Sequence, residues 1–130
     1  MSGLSSRVAE IEEELSYLDR DEKFEWLIDR GKSLQVDTKF TDADLVKGCQ
    51  SKVWLRTSVE EGKLRLSGSS DALIMKGIVG LLGELFDGTP ISDVQAFEFI
   101  PWMEKSGLGL TYQRMQGLAG ILKRINAETS

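Results

Sequence analysis

The only cysteine of the chain, Cys49, stands in the stretch 45-LVKGCQSKVWLR-56. A lone cysteine is usually a buried small hydrophobe, so an inert core thiol is one interpretation. The neighbouring residues favour another, because Gly48 allows backbone geometries that other residues avoid, and Gln50 and Ser51 supply polar groups. We interpret the stretch as a turn that presents a thiol.

Basic side chains lie close to this thiol in sequence. Lys47 precedes it, and Lys52 and Arg56 follow it. Nearby cations lower the pKa of a thiol and raise its thiolate fraction. The chain contains no histidine, so neither a Cys-His nor a Ser-His dyad can form within it. Thiol exchange, in which a thiolate attacks another sulfur atom without a general base, fits Cys49 better than peptide-bond hydrolysis.

The residue types also limit metals and cofactors. One cysteine and no histidine rule out a His/Cys zinc site within the chain. An iron–sulfur cluster usually needs about four thiolates, so a cluster could only be shared with other molecules. Carboxylate metal sites stay open, but no EF-hand spacing is present. Gly107-Leu108-Gly109 begins like a dinucleotide fingerprint, but Tyr112 stands where the third glycine belongs. We expect no cofactor of the chain's own.

Length and composition are typical of one globular domain, which we predict over residues 1–130. The formal charge of −5 disfavours nonspecific binding to nucleic acid or to an anionic membrane. No apolar run approaches the roughly 18 residues that span a membrane, and the start of the chain lacks the features of a secretory signal. A single cysteine allows no internal disulfide, which predicts a reducing, cytoplasmic setting.

The elements that position the thiol begin with two helices. Apolar residues at helical spacing predict helices at 6–17 and 21–32, with Gly31 ending the second, and a polar connection at 33–44. The positions expected to be buried in these helices are Val8, Ile11, Leu15, Leu18, Phe24, Leu27 and Ile28.

Strict alternation of apolar and polar residues then indicates strands with one covered face. Runs at 52–59 and 63–69, joined by a short turn with Gly62, predict a hairpin, and residues 45–47 could add a third strand. The inward positions are Val53, Leu55, Val59, Leu64 and Leu66.

Helices return after the hairpin. Ser69 or Ser70 is expected to cap a central core helix that runs to about residue 87, with Asp71 in its first turn. Three glycines in this helix predict close packing against a neighbour; they are Gly77, Gly80 and Gly83. Further helices are expected at 90–96 and 111–126. Such segregated helices and strands indicate an α+β fold, with helices on one face of a small antiparallel sheet.

Four blocks of the sequence resemble one known family. The stretch 48-GCQSKVWL-55 resembles the signature of the SufE family of sulfur acceptors, which includes CsdE. The blocks 70-SDALIMKGIVGLL-82, 101-PWMEK-105 and 114-RMQGL-118 are similar to further family blocks in the same order and spacing. Met115 and Ile100 depart from the common pattern, and neither belongs to the cysteine motif.

The resemblance implies a persulfide carrier and desulfurase activator rather than a stand-alone enzyme. The partner would be a cysteine desulfurase of the SufS/CsdA type, which holds the pyridoxal phosphate, and the recipient would be an iron–sulfur scaffold. Cys49 would accept sulfur from the partner's persulfide by transpersulfidation. The implied fold is a three-stranded antiparallel sheet with helices on one face, shared with IscU-type scaffolds.

The resemblance also implies roles for supporting residues. Arg114 could stabilise a thiolate or persulfide anion, although a structural ion pair is an equal alternative. Gln50 and Ser51, after Gly48, would shape the turn, and Asp71 would lie near it. The free protein would shelter the thiol and expose it on docking. Two other functions stay open, a cluster-assembly scaffold and an interaction domain with an inert thiol.

Overall fold

A computed structural model of the chain describes residues 3–32, 34, 40–46 and 51–130. The helices among them are α1 (Gly3–Ser16), α2 (Arg20–Lys32), α3 (Leu73–Phe86), α4 (Ile91–Ala96), α5 (Phe99–Lys105) and α6 (Tyr112–Thr129). The strands are β1 (Val53–Glu60), β2 (Lys63–Ser70) and β3 (Thr89–Pro90), and a short 3-10 helix spans Asp42–Asp44. The predicted α+β class is confirmed. No helix in this part of the chain has the length and apolar character needed to cross a membrane.

The sheet has the order β1-β2-β3 and is antiparallel throughout. β1 and β2 pair along their whole length up to Glu60 opposite Lys63, so only Glu61 and Gly62 form the turn. Both turn residues have positive φ, 52° and 75°, a region that suits glycine and is uncommon for glutamate. The predicted hairpin is confirmed.

One face of the hairpin carries the core. Val53, Leu55 and Leu64 are fully buried, α3 packs against β2, and α6 packs against β1. The opposite face bears exposed polar side chains, namely Arg56, Lys63, Arg65 and Ser67. Val59, predicted to face inward, is 41% exposed. The reason is that the end of β1 nearest the turn is uncovered on both faces.

The central position predicted for the third long helix is confirmed, because α3 is buried along most of its length. Two of its glycines allow α2 to approach closely. A Cβ atom on Gly77 would overlap the Leu27 carbonyl, and one on Gly80 would overlap the Arg30 carbonyl. No atom that the structure describes lies within 4 Å of such a Cβ position on Gly83, so the close packing predicted there is not found in the described part of the chain.

The helix cap predicted at Ser69 or Ser70 is also wrong. Both serines belong to β2, where Ser70 pairs with Val53, and α3 begins only at Leu73. Strand pairing therefore continues through the residues that the sequence pattern assigned to the helix start. Asp71 consequently lies between β2 and α3 rather than in the first helical turn.

The third strand differs from the expectation as well. Leu45 forms only an isolated bridge with Trp54, and Lys47 lies outside the described residues. The third strand is instead Thr89–Pro90, which pairs with the start of β2. Half of the connection predicted at 33–44, namely residues 33 and 35–39, also lies outside the described residues.

The buried face of α2 is rotated from the one predicted. Trp26 and Leu27 are buried, whereas Phe24 and Ile28 are only partly covered. The Trp26 indole donates to Glu14 of α1 at 3.3 Å, which gives a buried tryptophan a polar partner. Gly31 does not end α2 but lies inside it, against the backbone of Gly77.

Candidate functional site

Cys49, with Gly48 and Gln50, lies outside the described residues, so the site is defined by the chain on either side. The upstream flank consists of residues 40–46, and the downstream flank consists of residues 51 and 52. Both flanks are held by hydrogen bonds to other parts of the fold.

The downstream flank is bound to the end of β2. Lys52 N donates to Asp71 Oδ1 at 3.0 Å, and Asp71 N donates to Lys52 O at 3.1 Å. The Ser70 hydroxyl donates to the same Lys52 oxygen at 2.8 Å and accepts from Ala72 N at 3.2 Å. Asp71 therefore holds the start of β1, close to the cysteine motif.

The upstream flank returns to the same region of the sheet. Val46 N donates to Val53 O at 2.8 Å, and Leu45 bridges Trp54. The 3-10 helix before them is closed by hydrogen bonds from Asp44 N to Thr41 O and from Leu45 N to Asp42 O. The cysteine motif thus joins two chain segments that are paired with each other through Val46 and Val53.

An ion pair ties the upstream flank to β1. Arg56 Nη2 donates to Asp44 Oδ2 at 2.8 Å, and Thr41 N donates to the same oxygen at 2.9 Å. The hydrogen bond from Arg56, with that from Thr41, lowers the pKa of Asp44 from 3.8 to about 2. The Arg56 guanidinium also stacks over Phe40, 5.3 Å from the ring centroid. Arg56 therefore anchors the flank through its ion pair with Asp44.

A cavity of about 510 Å³ lies beside the downstream flank. Its lining residues are Ser51, Met75, Thr111, Tyr112, Gln113, Arg114 and Gly117. The structure thus brings together Ser51 and Arg114, which were both predicted as supporting residues. Asp71 does not line this cavity and acts on the backbone of Lys52 instead.

Arg114 is exposed in the first turn of α6. It forms neither a hydrogen bond nor an ion pair with any other described residue. The structural ion pair considered for this side chain therefore has no partner in the described part of the chain. The N-terminal end of a helix also favours anions, so a guanidinium and a helix terminus meet at one wall of the cavity.

The fold and the flanked cysteine motif define an α+β domain whose lone thiol is carried between two anchored segments. The chain belongs to the SufE family, since residues 9–129 match the family described as an Fe-S metabolism associated domain. It is therefore associated with iron–sulfur metabolism.

A solved structure agrees with the fold. The solution structure of a hypothetical protein from Thermus thermophilus superposes with a TM-score of 0.76 at 22% sequence identity. The match covers 95% of this chain and 93% of that protein. At this identity the similarity supports the architecture alone.

Two residues at the site have no sequence signal that would reveal them. Asp44 and Arg124 both hold the upstream flank, but their partners lie 12 and about 80 residues away in sequence. Charged residues on a helix or in a turn are usually solvated, so only the tertiary structure distinguishes these two.

Proposed function

We propose that this chain takes sulfur onto Cys49 from the persulfide of a SufS/CsdA-type cysteine desulfurase and passes it on for iron–sulfur cluster assembly. The observation that carries this proposal is the anchoring of the two chain segments that flank Cys49. In this SufE-family chain, both flanks of Cys49 are anchored. Arg114 lines a cavity that lies beside the downstream flank.

Chain connectivity links Cys49 to one residue of the cavity wall. Ser51 lines the cavity and follows Cys49 by two residues. Covalent geometry limits the distance between their Cα atoms to about 7 Å. Covalent connectivity therefore limits how far a sulfur atom on Cys49 can lie from Ser51, which lines the same cavity as Arg114.

The transfer step requires no external oxidant or reductant. The Cys49 thiolate attacks the outer sulfur of the partner's persulfide, and a new sulfur–sulfur bond forms on Cys49. The original sulfur–sulfur bond breaks, and the partner's cysteine leaves as a thiolate with the electron pair. The outer sulfur keeps its proton, so one thiolate and one persulfide exist before and after the step.

Arg114 suits the anionic species in this exchange. Because its guanidinium has no carboxylate partner among the described residues, its charge is available to a thiolate or persulfide anion. The partner's pyridoxal phosphate supplies the chemistry that releases sulfur from free cysteine. This chain would then supply the acceptor thiol and the surroundings that favour its ionised form.

Stimulation of desulfurase turnover tests the proposal. We expect the wild-type chain to raise cysteine-dependent turnover of a SufS/CsdA-type enzyme, and Cys49→Ser to abolish the increase. Arg114→Met keeps the apolar stem but removes the charge, and we expect it to reduce the stimulation about tenfold. Lys105→Met, a charge removal on the exposed end of α5, is the matched control. Undiminished stimulation by Cys49→Ser would instead support an interaction domain with an inert thiol.

A further inference from the structure

Arg124 makes an unusual set of contacts for a helix-surface arginine. It lies on α6, and its Nη1 donates to the carbonyl oxygens of Asp44 and Leu45, each at 2.9 Å. Its Nη2 donates to the carbonyl oxygen of Ala43 at 2.6 Å. One guanidinium therefore holds three successive carbonyl groups at the end of the 3-10 helix.

Two of these carbonyls, those of Ala43 and Asp44, belong to the last residues of the 3-10 helix. The last carbonyls of a helical segment have no intrahelical donor and must find one elsewhere. Arg124 supplies charged donors in a fixed fork, which holds both the position and the orientation of the backbone. The segment that Arg124 binds, residues 43–45, is followed directly by Val46. Val46 is the last described residue before Cys49.

The same helix also supplies the wall of the cavity. Arg114 lies ten residues before Arg124 on α6, so the two side chains are about 15 Å apart along the helix axis. Between them α6 is fixed to the core by Leu118 and Ile121, which are completely buried. The positions of the upstream flank and of the cavity wall are therefore both set by helix α6.

We propose that Arg124 is a positioning residue for sulfur transfer: through the carbonyls of residues 43–45 it sets where the cysteine motif begins relative to the Arg114 cavity. This inference rests on the proposed function. The hydrogen bonds that Arg124 makes with described residues go to backbone carbonyls, so its role is exerted through the backbone of the flank. Displacement of a reacting group by about 1 Å can slow a reaction up to a hundredfold, so a loosened flank would slow transfer.

The test separates transfer from docking. Single-turnover transfer of sulfur from a persulfidated SufS/CsdA-type desulfurase is measured at saturating partner, and the Kd of the complex is measured separately. For Arg124→Met we expect transfer to slow about tenfold while the Kd changes less than about twofold. Lys123→Met removes the same charge from the neighbouring exposed position of α6, and we expect wild-type transfer from it.

Hydrogen exchange links any kinetic effect to the flank. The amides of Asp44, Leu45 and Val46 are hydrogen-bonded, and in Arg124→Met they should exchange faster than in the wild type. Arg124→Lys keeps the charge but loses the planar fork, so it should show intermediate exchange and intermediate transfer. If Arg124→Met does not fold, transfer and exchange are compared between Arg124→Lys and the wild type instead.

Each outcome then has one meaning. If sulfur transfer becomes slower and hydrogen exchange at these amides becomes faster by corresponding amounts in the two Arg124 variants, the proposal is supported. Faster exchange with wild-type transfer, or unchanged exchange at all three amides, overturns it. A wild-type chain that takes no sulfur would instead refute the proposed function, which keeps the two failures distinct.

Discussion

The two flanks of the cysteine motif are held by different kinds of contact. The downstream flank is an extension of the sheet, fixed by Ser70, the last residue of β2, and by Asp71, which follows it. The upstream flank meets β1 at the Val46 hydrogen bond and the isolated Leu45–Trp54 bridge, and Arg56 and Arg124 hold the rest of it. Its position is therefore set by charged side chains from distant elements.

Because of this difference, we expect substitutions in the two flanks to affect different properties, namely fold stability and the rate of sulfur transfer. Contacts that extend the sheet form together with the hairpin, so removing them should lower the stability of the fold. Contacts between distant charged side chains and a short turn hold local geometry, so removing them should slow sulfur transfer more than it lowers stability. Four substitutions or titrations test this division.

The largest effect on transfer within this comparison is expected from Asp44→Ala. The substitution leaves Arg56 and Thr41 N without the carboxylate that joins them. We expect sulfur transfer to slow about tenfold, measured by single-turnover kinetics. Asp42→Ala, at an exposed position of the same 3-10 helix, is the control and should transfer sulfur normally. Equal rates of sulfur transfer for the two variants would show that the upstream flank has no kinetic role.

The downstream flank is tested by Ser70→Ala. The hydroxyl of this buried serine both donates to Lys52 O and accepts from Ala72 N, so its loss should destabilise the fold by about 1–2 kcal/mol. Urea denaturation gives the free energy of unfolding. We expect transfer to slow only about twofold at temperatures where the variant is folded. Ser67→Ala, on the exposed face of β2, should change neither quantity.

The ion pair of the upstream flank also predicts a pH dependence. The folded pKa of Asp44, about 2, lies below its ordinary value of 3.8. The pair therefore contributes its full stabilisation above about pH 4 and loses it as the pH falls through about 2. An NMR titration of the Thr41 amide, which donates to Asp44, should show a midpoint near 2. A midpoint near the ordinary value of 3.8 would mean that Arg56 does not hold this carboxylate in solution.

The smallest effect is expected at the far end of the hairpin. Glu61 has a φ of 52°, a region that asparagine tolerates better, so Glu61→Asn should raise the free energy of unfolding by about 0.5 kcal/mol. Because neither flank touches this turn, transfer should keep its wild-type rate. A change in transfer would show that general hairpin stability, rather than the flanks, controls the reaction.

The sequence predicted what depends on local pattern. Alternation in β1 and β2 revealed the hairpin, and the GCQS motif with its family resemblance pointed to Cys49. The third strand was misplaced because Thr89–Pro90 is only two residues long and carries no periodic signal. The hydrogen bonds from Arg124 to the upstream flank were not predictable from the sequence. They join residues about 80 positions apart, and their acceptors are backbone carbonyls, which every residue possesses.

Sulfur transfer to Cys49 can be detected directly from the mass of the protein. The chain is mixed anaerobically with a SufS/CsdA-type desulfurase and free cysteine, and intact mass spectrometry follows under non-reducing conditions. We expect a gain of one sulfur atom, mapped to the peptide containing Cys49 and absent from Cys49→Ser. Detectable binding to the desulfurase with no added sulfur on Cys49 would contradict it.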